Sequence, residues 1–304
     1  MRSIKSSKPI AVEWPTLVLA GVIYAGWLAA TFWHTHIPAP LLPVVGGWLI
    51  AWHGSLQHET IHGHPTRDPI INRAIGWPPL SLWLPYELYR QSHVAHHATE
   101  HLTDPRHDPE SRYLIRATAP QAILAVVQST LLGRLILGAP IEIGRFLVGE
   151  GLAVVRGDAG RRRVWAAHLF GVTAIGLWLI VICRMSVSTY LLAFIYPCAA
   201  LSLLRSFVEH RADAVADRRI AVVEAAPVLG LLFLNNNLHA AHHANPAAPW
   251  WRLPRLHLEQ RVDLIALGAP FYRGYAEVAR RYLLRPHDAA VYPYAGEAKA
   301  EECG

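Results

Sequence analysis

The chain has 304 residues, of which 53% are hydrophobic and only 16% charged, with 11 tryptophans and a formal net charge of +6. So few charges in a chain of this length exclude an ordinary soluble globule and place it with membrane proteins. The positive balance suits anionic headgroups, whereas a nucleic-acid partner is excluded: the basic residues track the apolar segments and no nucleic-acid motif occurs.

A helix that crosses a bilayer needs roughly 17–25 mostly apolar residues. Residues 14–33 qualify, with no charge and with Trp14 and Trp33 at their ends, as at two interfaces. The basic start before them is followed by an apolar run too long for a cleaved signal peptide, so this is a retained span. Residues 41–56, opening among Pro38, Pro40 and Pro43, form a second span whose helix runs on past the membrane surface to His58 and His62. Pro78, Pro79 and Pro85 make residues 70–89 interfacial or re-entrant, and a helix over 87–100 follows. Residues 121–137 are apolar but short and lie in the interface. Residues 164–183 and 187–204 form a second pair of spans, parted by Arg184-Met-Ser. Residues 225–234 are too short to cross. Trp250 and Trp251 read as an interfacial anchor, residues 256–284 as an amphipathic helical region broken at Gly268-Ala-Pro270, and the polar tail from Arg285 as loose.

Orientation follows the Lys and Arg near the spans. Arg2, Lys5 and Lys8 precede the first span, Arg161, Arg162 and Arg163 the third, and Arg205, Arg211, Arg218 and Arg219 follow the fourth; the outer connections carry only Arg184. Both termini are therefore expected on the cytoplasmic side. Cys183, Cys198 and Cys303 are scattered without a C-x-x-C, which argues against disulfides, iron–sulfur ligation and covalent haem. Redox chemistry here would draw electrons from another protein.

Three histidine clusters fall on that same side: His58-Glu-Thr-Ile-His62, His93-Val-Ala-His96-His97 and His239-Ala-Ala-His242-His243. Helical residues three or four apart share a face, so each cluster aims at least two imidazoles at one place. Sequence neighbours point about 100° apart, so His96 and His97, or His242 and His243, cannot easily share an ion. One zinc takes about four ligands, so eight imidazoles suit two ions held between the clusters. His210 joins them as a ninth, leaving the fourth span where His58 leaves the second. His64 and His101 lie off the shared faces, and His34, His36, His53, His107, His168, His257 and His287 are read as ordinary structural histidines. Glu59, Glu100, Asp104, Asp108 and Glu209 are candidates to accept from the far ring nitrogens, and Asn235, Asn236 and Asn237 to cap a helix. Imidazole leaves zinc, iron, copper and nickel open. A multi-histidine site beneath apolar helices, without a nucleophile motif or phosphate loop, suits oxygen activation against an unactivated C–H bond.

These boxes, with Leu102-Thr-Asp-Pro105…Asp108-Pro-Glu-Ser111 after the second and Asn235-Asn-Asn-Leu-His239 opening the third, resemble the membrane-bound fatty acid desaturase family and its related acyl-lipid and hydrocarbon hydroxylases. The resemblance covers about residues 40–260. It implies that His58, His62, His93, His96, His97, His239, His242 and His243 ligate two iron ions, and His210 matches a further ligand by place. It implies dioxygen as co-substrate and removal of hydrogen from a chain methylene, a second removal giving an alkene and oxygen rebound an alcohol. Box three opens with His239 rather than the Gln of front-end desaturases with a fused haem domain, and His-Pro-Gly-Gly is missing. A separate ferredoxin-, rubredoxin- or cytochrome-type donor is therefore implied.

The expectation is an all-α integral membrane protein, one domain over residues 1–304 with a core at about 40–260 and tails at 1–13 and 285–304. Four transmembrane helices in two hairpins carry a cytoplasmic helical cap that holds the metal site. Its function is oxygen-dependent desaturation of long-chain fatty acyl groups, with hydroxylation or ketolation by the same centre as the alternative. No catalytic residue beyond the metal centre and no organic cofactor site is expected. Trp77, Trp83, Tyr86 and Tyr89 are candidate walls of a chain tunnel, or else interfacial belt residues. His58-Glu59-Thr-Ile-His62 also satisfies the H-E-x-x-H of a membrane zinc metalloprotease with Glu59 as base, which leaves the other two clusters unexplained. A metal transporter or sensor would line its path with mid-membrane ionisable groups, and the spans hold only His53 and His168.

Overall fold

Uncharged apolar runs fold here as helices, since lipid leaves the backbone no partner but itself. The computed structural model describes residues 12–294, so Arg2, Lys5, Lys8 and Cys303 lie outside the described residues. In chain order the helices are α1 (Trp14–Phe32), α2 (Leu42–Ile61), α3 (Pro69–Gly76), α4 (Tyr86–Ala98), α5 (Ala119–Gln128), α6 (Leu131–Val155), α7 (Ala159–Ile182) and α8 (Val187–Glu209). After them come β1 (Val222–Val223), α9 (Pro227–Leu232), α10 (His239–Ala244), α11 (Leu253–Leu267), β2 (Phe271–Tyr272) and α12 (Tyr275–Tyr282). The architecture is all-helical apart from the short parallel pairing of β1 with β2. Several helices open on proline in the first turn, where a missing N–H costs nothing.

Three helices, α1, α7 and α8, are long and apolar enough to cross a membrane; a fourth span exists only if α5 and α6, bent by 101°, count as one broken segment. Of the four spans expected, residues 14–33, 164–183 and 187–204 fall in these helices, and residues 41–56 do not. Residues 41–56 lie in α2, whose later half carries His53, Gln57, His58 and Glu59, so its composition falls short of the other three. Instead α2 is enclosed, packed between α1 and α8. Residues 121–137, expected as one interfacial segment, are divided by the α5–α6 elbow. The large apolar side chains Val18, Val22, Phe170, Val181 and Leu192 stay exposed on the three long helices, a surface suited to lipid.

Two glycines let α2 and α8 meet. A Cβ on Gly46 would stand 2.6 Å from the Ala193 carbonyl, and one on Gly47 2.5 Å from Pro197 Cβ. The irregular stretch at 77–85 is held by side chains that answer its carbonyls. Tyr190 Oη donates to the Leu80 carbonyl at 2.7 Å and accepts from Trp27 Nε1 at 2.9 Å, while His168 Nε2 donates to the Leu82 carbonyl at 2.8 Å. Non-helical backbone inside such a bundle needs partners of this kind.

The chain from Arg285 to residue 294 is docked rather than loose. His287 N donates to the Ser129 carbonyl at 2.8 Å, Leu114 N to the Ala290 carbonyl at 3.1 Å, and Tyr113 Oη to Asp288. These bonds close the end of the bundle near the elbow.

Gly47→Leu is expected to cost about 1–3 kcal/mol by overpacking, read as a lower melting temperature in detergent. Gly21→Leu, at a position with no heavy atom within 4 Å, should leave it unchanged. Equal melting of the two variants would refute close α2–α8 packing as a source of stability.

Candidate metal centre

The end of α2, the last turns of α4 and the short α10 converge with the residue that follows α8. His58, His62, His93, His97 and His242 form one group, and His96, His210, His239 and His243 another; in each, one ring nitrogen per residue lies within 4.8 Å of all the others. All nine histidines singled out from the sequence are thus brought together. His96 and His97 fall into different groups, as do His242 and His243. The 100° turn between neighbours requires that division.

The rings meet through Nε2. These atoms are 2.9 Å apart in His62–His93, 3.1 Å in His97–His242, 3.1 Å in His96–His210, 2.9 Å in His210–His239 and 3.1 Å in His239–His243. On the far side, His93 Nδ1 donates to Glu110 Oε1 at 3.1 Å, His96 Nδ1 to Asp108 Oδ1 at 2.8 Å and His239 Nδ1 to Asn236 Oδ1 at 3.1 Å. A neutral imidazole carries one N–H, so placing it on Nδ1 leaves a bare lone pair on Nε2. The Nε2 lone pairs of these three rings therefore point inward, at His62, His210 and His243. His58 Nε2 is buried without any partner. A cation in each group resolves both facts, and imidazole nitrogen suits iron, copper, zinc or nickel.

Electrostatics favours the ligating form. Burial, and then neighbouring imidazoles, push His62 down to about 2 and His97 to about 3. Burial and His96 push His210 to about 3, and His239, His242 and His243 are driven well below the ordinary value by burial and ring neighbours. His96 moves the other way: burial opposes it, but the hydrogen bond to Asp108 and the nearby Glu110 raise it. An anionic partner makes a ligating ring more basic in this manner. Burial works against ionisation of Glu110 as well, yet its bond from His93 holds it at about 2.

Of the five acids proposed as ring partners, Asp108 is bonded to a ring and Glu209 stands 3.7 Å from His239 Nδ1. Glu209 also pairs with Arg205 at 3.1 Å and accepts from Asn236 Nδ2 at 3.3 Å. Glu59 Oε1 is 3.8 Å from His58 Nδ1, while its Oε2 accepts from Trp250 N at 3.0 Å. Asp104 turns away to Arg106 and His107, and Glu100 is exposed. The acid overlooked was Glu110; its place two residues beyond Asp108 in the same loop was the available signal. The asparagines do not cap a helix. Asn236 orients His239, Asn237 Nδ2 donates to the Val223 carbonyl at 2.7 Å, and Asn235 Nδ2 to the Trp250 carbonyl at 3.0 Å.

A cavity of about 370 Å³ adjoins the second group, with His93, His210 and His239 on one wall and Ile50, Ala51, Ala199 and Leu203 among its apolar lining. Trp83 and Tyr89 line it as expected of tunnel residues. Trp77 and Tyr86 do not: Trp77 packs where α7 presents Gly171, and Tyr86 is buried with its hydroxyl 3.1 Å from Thr60 Oγ1.

A family model described as fatty acid desaturase matches residues 31–273, well over half of the chain and a stretch containing all nine histidines. No individual curated protein matches.

Asp108→Asn is expected to weaken metal retention about 10–100-fold, as loss of an outer partner typically does, in a chelator titration followed by elemental analysis. Glu100→Gln should have no effect. Indifference of retention to Asp108→Asn would remove it as the partner of a ligand.

Proposed function

The chain belongs to the fatty acid desaturase family, and from that premise we propose that it desaturates long-chain fatty acyl groups with dioxygen, using two irons held one in each histidine group. The observation that carries this reading is the pair of imidazole groups, of which His93, His210 and His239 line a cavity that also carries aliphatic side chains. His58, His62, His93, His97 and His242 would hold one iron, and His96, His210, His239 and His243 the other. When bound, such a pair supplies reduction of dioxygen and an oxidant equal to an unactivated C–H bond. Overall, –CH2–CH2–, O2, two electrons and two protons become –CH=CH– and two waters.

The chain's own residues supply position and dryness. Asp108, Glu110 and Asn236 hold the rings with Nε2 inward. Trp83, Tyr89 and the aliphatic wall would seat an acyl chain and exclude water from its methylenes. Cys183 and Cys198 are buried in the bundle, so the electrons would come from a ferredoxin-, rubredoxin- or cytochrome-type partner.

The start of α1 lies at the same end as the histidines: Glu13 N donates to the Pro65 carbonyl at 2.9 Å, and His64 Nδ1 is 2.8 Å from Glu13 Oε1. With the basic residues flanking the long helices, this supports a multi-pass protein whose active site faces the cytoplasm. The single-zinc protease reading accounts for His58, Glu59 and His62 alone and leaves the other seven grouped histidines without a role.

Expression in a host of defined lipid content, followed by mass spectrometry of its fatty acids, should show new double bonds under air and none without oxygen. The purified protein should carry two irons per chain. New hydroxyl or keto groups would assign the alternative outcome of the same centre, whereas unchanged lipids with a lone zinc would overturn the oxygenase reading. His93→Ala and His242→Ala should each abolish activity, and Glu59→Gln should retain both metals.

A further inference from the structure

A second cavity of about 220 Å³ lies beside the first and shares Arg112, Tyr113, Glu142, Arg145, Ser206 and His210 with it. The α5–α6 elbow, with Gln128 and Arg134, forms one side, and the docked segment at His287 and Asp288 the other. Two guanidinium groups line this space with an unanswered N–H. Arg112 Nη1 and Arg134 Nη1 are both buried without a hydrogen-bond partner. Each has one other nitrogen engaged, Arg112 Nη2 donating to Ser206 Oγ and Arg134 Nε to the Gln128 carbonyl at 2.9 Å.

The carboxylates bordering the cavity are engaged elsewhere. Glu142 accepts from Arg145 at 2.6 Å, and Asp288 accepts from Tyr113 Oη and from Ala289 N at 2.8 Å. Two cations with open, buried donors and no carboxylate bonded to either are unfavourable until an anion arrives. The planar fork of guanidinium matches carboxylate and phosphate oxygens. Gln128 Oε1, also buried and unpaired, adds one acceptor for a hydroxyl beside such a group.

We propose that this cavity seats an oxyanion at the head of the substrate, between Arg112 and Arg134, with the apolar chain continuing into the larger cavity past the histidines. The proposal rests on the acyl-substrate reading and narrows it: the substrate carries a charged carboxylate or phosphoryl head, not a neutral ester or a plain hydrocarbon.

Equilibrium binding of hexadecanoate, hexadecyl phosphate and hexadecanol to the metal-loaded protein in detergent tests this. At least one of the two anions should bind about tenfold or more tighter than the alcohol, as charge-assisted bonds in a buried site imply; which anion is preferred identifies a carboxylate or a phosphoryl head. Arg112→Gln and Arg134→Gln should each shrink that preference towards one, with metal content unchanged as the measure of folding. Arg134→Lys, which keeps the charge, should preserve most of it. Equal affinity for alcohol and anions in the native protein would overturn the proposal while leaving the acyl reading intact. Failure of all three compounds to bind would overturn both.

Discussion

An imidazole whose single N–H is given to a carboxylate or amide oxygen has only a lone pair left for its neighbours, and of the nine rings pressed together here His93, His96 and His239 are held in this way. Burial disfavours a second proton on most of these rings, as the low values at His62, His97 and His210 indicate. Neutral rings with inward nitrogens grouped within 4.8 Å of one another form a site suited to cations. The packing at this end of the bundle follows from that constraint. Four separate pieces of chain must be pinned within reach of one another: the end of α2, α4, the residue after α8 and α10. Gly46 and Gly47 bring α2 against α8, and Asn236 ties His239 to Glu209 at the end of α8.

The local pattern was readable because helical periodicity is a short-range property. H-x-x-x-H and H-x-x-H-H spacings predict which imidazoles share a face, and the division into two groups follows from the angle between adjacent residues. His210 was legible only by analogy of position, as the residue leaving a helix beside the one that carries His58. Glu110 was missed because its role depends on how the loop after α4 folds back, which periodicity does not encode. The asparagines before His239 misled for a related reason. Asn favours helix starts, but here the carbonyls of Val223 and Trp250 and the ring of His239 claim the side chains first.

Hydropathy singles out α1, α7 and α8 but not α2, where apolarity and function compete. α2 has a length suited to crossing a membrane, yet the polar residues needed at its later half lower its apolarity, and enclosure by α1 and α8 compensates. An element shielded by protein need not be apolar throughout, so hydropathy alone undercounts it. The same reasoning applies to the irregular stretch at 77–85, where Tyr190 and His168 stand in for the water or helix that would otherwise satisfy its carbonyls.

The distribution of polar groups around the two cavities then acquires a direction. Aliphatic walls at Ile50, Ala51, Ala199 and Leu203 border the larger space, and the histidines occupy another part of its lining. Arg112, Ser206 and His210 are common to both spaces, and Arg134 belongs to the smaller one alone. An amphiphile placed with its charge between the two arginines and its chain along the aliphatic side chains would answer both guanidinium groups, whereas the reverse placement would leave Arg134 unanswered. Orientation would therefore be set by the desolvation cost of charge, and the histidine groups would meet the chain at a position counted from its head.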